Sequence, residues 1–342
     1  MSALAHLPFS FPTGLTSPQP FNVSVNKDFI QQTQAKVKTW RSPVSLFSNW
    51  TIEGPDTDQI DDVAQYWANE YDWFSIQDRF NSEGHHYAIS VSSDGNYTAP
   101  VPLHFVHRES SQADAVPLLL LHGWPSTHLE WSKVIEPLVT DADTPFHIVA
   151  PDLPGFGFSP APTQPGLSPR ENGRVMNGLM KQLGYSRYGI VSTDLGWQVA
   201  MWMPLAVSLA FSDSPVGFLG WVWDLMYAVS DGYKYSYEEL ITDAMMLFIP
   251  GPYNNIRAYL EAYSPGMMTF PKSKVPTGVS EWAFTNGPFP DIAASPLSPR
   301  SWIERTANVV YFNRHDFGGH FPAVSQPKEW LKDVRKFFSG LN

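Results

Sequence analysis

An α/β fold built on a mostly parallel sheet, with helices on both faces, is predicted by three features of the sequence. Short apolar runs recur at 116–121, 148–150 and 187–192, longer amphipathic stretches separate them, and turn residues mark the junctions. Strands of a parallel sheet are covered on both faces, so they read as unbroken apolar runs and not as strict alternation.

The elements follow in order. Residues 1–110 form an N-terminal extension in which Val63, Tyr66, Trp67, Tyr71 and Phe74 keep a helical rhythm. Alternation over 86–91 and a second run over 103–107 then predict strands. The first part of the core is expected over 111–203, where the run 116–121 leads through a polar turn at 122–127 to a helix ending near Val139, followed by the strand at 148–150. The next helix is bounded by its own signals. Ser168 can cap it, Pro169 stands where a missing N–H costs nothing, and Gly184 suits its end. After the strand 187–192 helix resumes beyond Asp194 and is interrupted by Pro204. A lid is expected over 204–285, with an amphipathic helix at 237–248, and the second part of the core over 286–342, with a strand at 308–312 and a closing helix at 327–338.

Composition narrows the chemistry. The 342 residues carry a formal charge of −11, which excludes phosphate-backbone binding and makes nucleic acid an unsuitable partner. There is no cysteine, so disulfides, thiolate nucleophiles and cysteine metal sites are excluded. The segment 1–19 is broken by Pro8, Pro12 and Pro18 and has neither a signal-peptide layout nor a membrane span; a soluble, cytoplasmic protein is expected. The 13 Trp, 14 Tyr and 22 Phe residues suit aromatic-lined cavities and hence an apolar ligand.

Chemistry concentrates at Ser192-Thr193-Asp194-Leu195-Gly196. Small residues stand two before and two after the centre, between a strand and a helix, which is the spacing of a nucleophile elbow in an α/β-hydrolase fold. The centre is Asp194 and not serine. A carboxylate there attacks a carbon electrophile such as an epoxide or alkyl halide and becomes an ester. Water must cleave that ester with the help of a base, and His320 in Phe317-Gly318-Gly319-His320 lies late in the chain, after a strand, where this fold keeps its histidine. The backbone N–H groups of Trp124 and Leu195 are the candidate oxyanion donors. Read singly, Asp194 is also a ready helix cap and His320 a plain loop histidine.

The ordered set resembles the microsomal-type epoxide hydrolases, in particular their soluble fungal members. It comprises Tyr71-Asp72-Trp73, His122-Gly123-Trp124-Pro125, Pro151-Asp152-Leu153-Pro154-Gly155-Phe156-Gly157-Phe158-Ser159, Asp194-Leu195-Gly196, Ser212-Asp213-Ser214-Pro215-Val216-Gly217, Pro299-Arg300-Ser301-Trp302 and Gly318-Gly319-His320-Phe321. The resemblance covers nearly the whole chain. It implies ring opening by the elbow aspartate, hydrogen bonds from two lid tyrosines to the epoxide oxygen, and histidine-assisted hydrolysis to a diol, with no cofactor and no metal. Detoxification is the role it suggests. Tyr259, in Asn255-Ile256-Arg257-Ala258-Tyr259, matches one of those tyrosines.

Two departures from the family pattern stand out. Between the elbow helix and Ser212-Asp213-Ser214-Pro215 the family carries a further core strand, several cap helices and the first lid tyrosine, whereas this chain runs almost directly across. Tyr227, Tyr233, Tyr235 and Tyr237 would replace that tyrosine only in a rearranged lid. The acid that orients the histidine is expected shortly before Pro299; a gapless count lands on Ala294, and Asp291 is the nearest carboxylate. The expected activity is therefore hydrolysis of a small apolar epoxide with water. The alternatives are a degenerate member that binds ligand with little turnover, because its cap is shortened, and, ranked below, a haloalkane dehalogenase. A shortened cap also exposes apolar surface, which favours a homodimer.

Overall fold

The computed structural model describes residues 7–12, 14–42, 57–93, 95–141, 143–193, 214–252 and 272–341. Asp194, Leu195, Tyr259 and the helix expected after the elbow lie outside them. The N-terminal extension contributes β1 (Gln19–Pro20), helices α1 (Lys27–Lys38), α2 (Thr57–Asn69) and α3 (Trp73–Glu83), and strands β2 (His86–Val91) and β3 (Val101–Arg108). The helical rhythm read across Val63 to Phe74 belongs to two helices. Asp72 separates them, because its extended backbone ends one and its side chain caps the other through the Phe74 N–H at 3.0 Å.

The core proper holds β4 (Val116–Leu121), a 3-10 turn (His128–Trp131), α4 (Ile135–Val139), β5 (Phe146–Pro151), α5 (Pro169–Gln182) and β6 (Gly189–Ser192). The single helix expected before Val139 is thus divided in two. Helix α5 starts as its sequence predicts: Ser168 accepts from the Glu171 N–H, Pro169 opens the first turn, and Gly184 takes a φ of 88° just beyond its end. Helices α6 (Pro215–Val229) and α7 (Tyr237–Phe248) follow, then β7 (Pro276–Ala283), two short helices α8 (Pro290–Ala293) and α9 (Arg300–Ile303), β8 (Asn308–Gly318), α10 (Pro322–Ser325) and α11 (Pro327–Ser339). Strand β7 was not anticipated and lies ahead of the boundary expected at 286. Its outward pattern is weakly apolar, since Thr277, Ser280 and Glu281 interrupt it.

Six strands form one sheet in the order β1-β2-β3-β5-β4-β6. The extension enters antiparallel as far as β5, and β5-β4-β6 run parallel. Both faces of β4 are covered. Leu118 and Leu120 pack with Trp131, Leu138 and Trp330 on one side, and Leu119 packs with Leu103, Val175 and Leu179 on the other. Each fully buried leucine contributes about 1.5–3 kcal/mol. A third apolar cluster joins the extension to α6 and α7 through Trp67, Trp73, Phe218 and Leu247.

Strands β7 and β8 pair parallel in a separate two-stranded sheet, and among the described residues no ladder joins them to β6. The interruption falls where the family resemblance implies an additional strand. Helix α11 spans it. A Cβ on Gly189 of β6 would meet the Phe338 ring at 2.4 Å, and one on Gly278 of β7 would meet Phe337 at 2.6 Å, so adjacent rings seat the two sheets against one helix. Ile190 of β6 and Val310 of β8 are left 54 % and 53 % exposed. Replacing Phe338 by alanine is expected to cost about 1.5–3 kcal/mol, seen as a lower urea midpoint at an unchanged slope. A midpoint equal to that of the parent would show that the helix does not hold the sheets.

Candidate active site

The loops at the ends of the parallel strands build the site. After β4, His122 fixes the turn from both ring nitrogens: Nδ1–H donates to the Gly123 carbonyl at 2.8 Å, and Nε2 accepts the Leu153 N–H at 2.9 Å. Trp124, whose N–H is a candidate oxyanion donor, is buried and packs on Trp221 of α6 with ring centroids 5.0 Å apart. The loop after β4 is thereby tied to the loop after β5 below it and to α6 above.

At the end of β6, Thr193 is held by two bonds. Its N–H donates to Leu121 at 3.2 Å, and its hydroxyl donates to Glu130 Oε1 at 2.7 Å. The residue preceding Asp194 is therefore anchored to a buried carboxyl side chain on the 3-10 turn.

His320 sits on the loop after β8, and its position is set by backbone. Gly318 and Gly319 take φ of 106° and 68°, the left-handed region open to glycine. A Cβ on Gly319 would come within 2.4 Å of the Val229 carbonyl. The His320 N–H donates to that same carbonyl at 2.7 Å, and the ring packs edge-on against Phe321 with centroids 4.8 Å apart. Asp231, itself at a φ of 54°, accepts the Gly318 N–H at 2.6 Å and both the backbone N–H and side-chain amide of Asn286, at 2.6 and 3.1 Å. One buried carboxylate thus locks the histidine loop to the end of α6 and to the segment after β7. Asp291 lies on the exposed helix α8, where its backbone carbonyl accepts from Ser295. No hydrogen bond from His320 to the Asp291 carboxylate is formed.

Sequence reasoning missed Asp231, although Asp231-Gly232 is a turn signal. It also missed a buried relay. His86 Nδ1 lies 2.8 Å from His104 Nε2, His104 Nδ1 lies 2.8 Å from Asp152 Oδ2, and His128 Nδ1 lies 2.9 Å from Asp152 Oδ1. Ligand atoms of His104, His128 and Asp152 fall within 4.8 Å of one another, as in a metal site. Yet both Nδ1 atoms face the carboxylate as N–H donors, which uses the positions a metal would need. Burial pushes the Asp152 carboxyl up, but the two imidazoles outweigh it and hold it well below the carboxylate range. Burial, reinforced by His104 and His128, lowers His86 to about 2, and burial likewise lowers His104.

Comparison with known proteins places this arrangement. Residues 18–131 match the family described as epoxide hydrolase N terminus, and residues 116–206 match the alpha/beta hydrolase fold. The chain thus joins an N-terminal region of epoxide hydrolase type to an alpha/beta hydrolase core. It is 23 % identical to epoxide hydrolase 1 of Sus scrofa, over 94 % of this chain and 89 % of that one. The juvenile hormone epoxide hydrolase of the silkworm Bombyx mori superposes with a TM-score of 0.79 at 24 % identity, covering 95 % and 94 % of the two chains. Aspergillus niger epoxide hydrolase gives 0.77 at 23 %, covering 98 % and 99 %. These two likenesses establish the α/β-hydrolase fold.

Two outcomes follow from this geometry. Asp231→Ala is expected to lower stability by about 1.5–3 kcal/mol per charged hydrogen bond lost, measured by urea unfolding. Second, His86 and His104 stay neutral in the folded chain while their unfolded counterparts bind protons below about pH 6.5, so stability falls as pH drops through that value. Between about pH 6 and pH 4 the His86→Phe variant should show a slope of unfolding free energy against pH smaller by about one proton. An unaltered slope would exclude the relay as a source of acid sensitivity.

Proposed function

We propose that the chain hydrolyses a small apolar epoxide through an ester on Asp194. The observation that supports this reading is the anchoring of three segments: the Trp124 turn tied by His122, the end of β6 pinned at Thr193, and the His320 loop locked by Asp231. In the proposed reaction a carboxylate oxygen of Asp194 forms a bond to a ring carbon, the carbon–oxygen bond of the epoxide breaks, and Tyr259 gives the departing oxygen its proton. His320 then takes a proton from water as the oxygen of that water adds to the ester carbonyl. The resulting oxyanion is met by the N–H groups of Trp124 and Leu195. Collapse releases the diol and restores the carboxylate, and the proton on His320 returns through water to the tyrosinate.

Asp291 is the proposed orienting acid, from its place ahead of Pro299. Being exposed, it should matter less than His320. The lid over 204–285 is read as shortened, from the short run between Met203 and Ser212. No helix among the described residues is long and apolar enough to cross a membrane. The cytoplasm and a homodimer fit this reading as expectations.

In heavy-oxygen water a single turnover should leave label in the peptide containing Asp194 and none in the first diol released; an unlabelled peptide rejects the ester. His320→Gln is expected to trap the ester, and Tyr259→Phe to lower the rate of ring opening by about two to three powers of ten. A second reading, a ligand-binding scaffold with little turnover, draws on the separation of β7-β8 from the main sheet. Folded protein that binds an apolar epoxide and releases no diol would favour it.

A further inference from the structure

A cavity of about 480 Å³ opens beside the N-terminal extension, between α3, the 3-10 turn at His128–Trp131, α4 and α7. Neither Trp124 nor His320 is among its lining residues. Its inner walls are apolar at Phe80, Met226 and Phe321, and its mouth is charged. Six carboxyl groups line it against three Lys and Arg side chains, and each of these three is already engaged by a carboxylate of the mouth. Arg79 pairs with Glu238 at 3.0 Å, Lys133 with Glu239 at 2.8 Å, and Arg108 with Glu136. The remaining balance is acidic.

Two polar groups in this wall have no hydrogen-bond partner among the described residues. His128 is 4 % exposed; Asp152 orients its Nδ1–H, so in that tautomer Nε2 presents a lone pair, and that atom is buried without a partner. The Asp243 carboxyl, half-buried on α7, takes no hydrogen bond from the described residues either. Both are acceptors in this state, and both line the same space. Burying acceptors without donors costs free energy, which an occupant bringing N–H groups and positive charge would recover.

We propose that this cavity binds a small organic ammonium ion, its N–H groups directed to Asp243 and His128 and its apolar part against Phe80, Met226 and Phe321. A bare divalent metal fits less well. Asp243 is absent from the one cluster among the described residues whose ligand atoms converge as closely as a metal requires, and His128 takes part in that cluster through the Nδ1 that it turns to Asp152, away from this space. The electrostatics agree with an organic cation. Burial, then Glu239 of the same helix and Glu130 of the facing turn, push the Asp243 carboxyl up to about 7, against the opposing pull of Lys133. A cation placed there would stabilise the ionised form.

The test is calorimetric titration of the full chain with benzylammonium chloride, with benzyl alcohol as the neutral counterpart. Saturable one-to-one binding of the amine and none of the alcohol is expected. Affinity should weaken about tenfold from pH 8 to pH 6 as Asp243 takes up its proton, an effect read on the parent protein and independent of how any variant folds. Asp243→Asn, close to isosteric, should weaken binding at pH 8 by about tenfold or more. Asp194→Asn should leave it unchanged. The proposal is overturned by folded parent protein that does not bind the amine, by equal binding of the alcohol, by pH-independent affinity, or by binding that Asp194→Asn abolishes and Asp243→Asn does not.

Discussion

The carboxylate of Asp152 is fully enclosed, and the arrangement of the catalytic end of the sheet depends on how its oxygens are filled. One accepts the backbone and ring N–H of His128, at 3.0 and 2.9 Å; the other accepts His104 Nδ1 and the Phe158 N–H, at 2.8 and 3.0 Å. A buried charge is tolerable only when it is matched in this way. The match draws three separate pieces of chain to one point: strand β3, the turn after the Trp124 loop, and the loop after β5. Close approach of that last loop requires Gly157, at a φ of 50°, where a Cβ would fall 2.1 Å from the carboxylate.

From this point the constraint propagates outward. His128 fixes the 3-10 turn, Glu130 on the same turn receives the Thr193 hydroxyl, and Thr193 is the residue before Asp194. His122, on the other side of the turn, hangs from the backbone of Leu153, the neighbour of Asp152. The Trp124 loop and the end of β6 thus share one buried foundation. The His320 loop has a different one, Asp231, which belongs to the lid side of the molecule. Site assembly therefore relies on lid and core meeting correctly, which the packing of Trp124 on Trp221 and of the His320 N–H on Val229 provides.

Much of the fold was legible because local signals were strong. Val116–Leu121 and His86–Val91 were found at their full extent, as was the helix Tyr237–Phe248, where Ser236 and Glu239 form a reciprocal cap. Strand β7 was missed because Thr277, Gly278, Ser280 and Glu281 interrupt its apolar rhythm. The strand at 308–312 proved longer, reaching Gly318, since Arg314 and His315 satisfy themselves through Glu281 and Asp333 and so sit in a strand without an apolar rhythm. In the candidate site, the loop positions of His320 and Trp124 were readable from their turn residues. Asp231 and the histidine relay were not, because pairing across 48 or 87 positions leaves no periodic trace. A histidine flanked by the fully buried Leu103 and Phe105 was the one available hint.

The neighbouring phenyl rings of Phe337 and Phe338 impose an order on how the chain matures. The glycines they cover, Gly189 and Gly278, sit on strands synthesised long before the helix that shields them. During translation the growing polypeptide carries these two sheet surfaces unshielded until Phe337 and Phe338 have been made, so their final registration is a late, long-range step of folding.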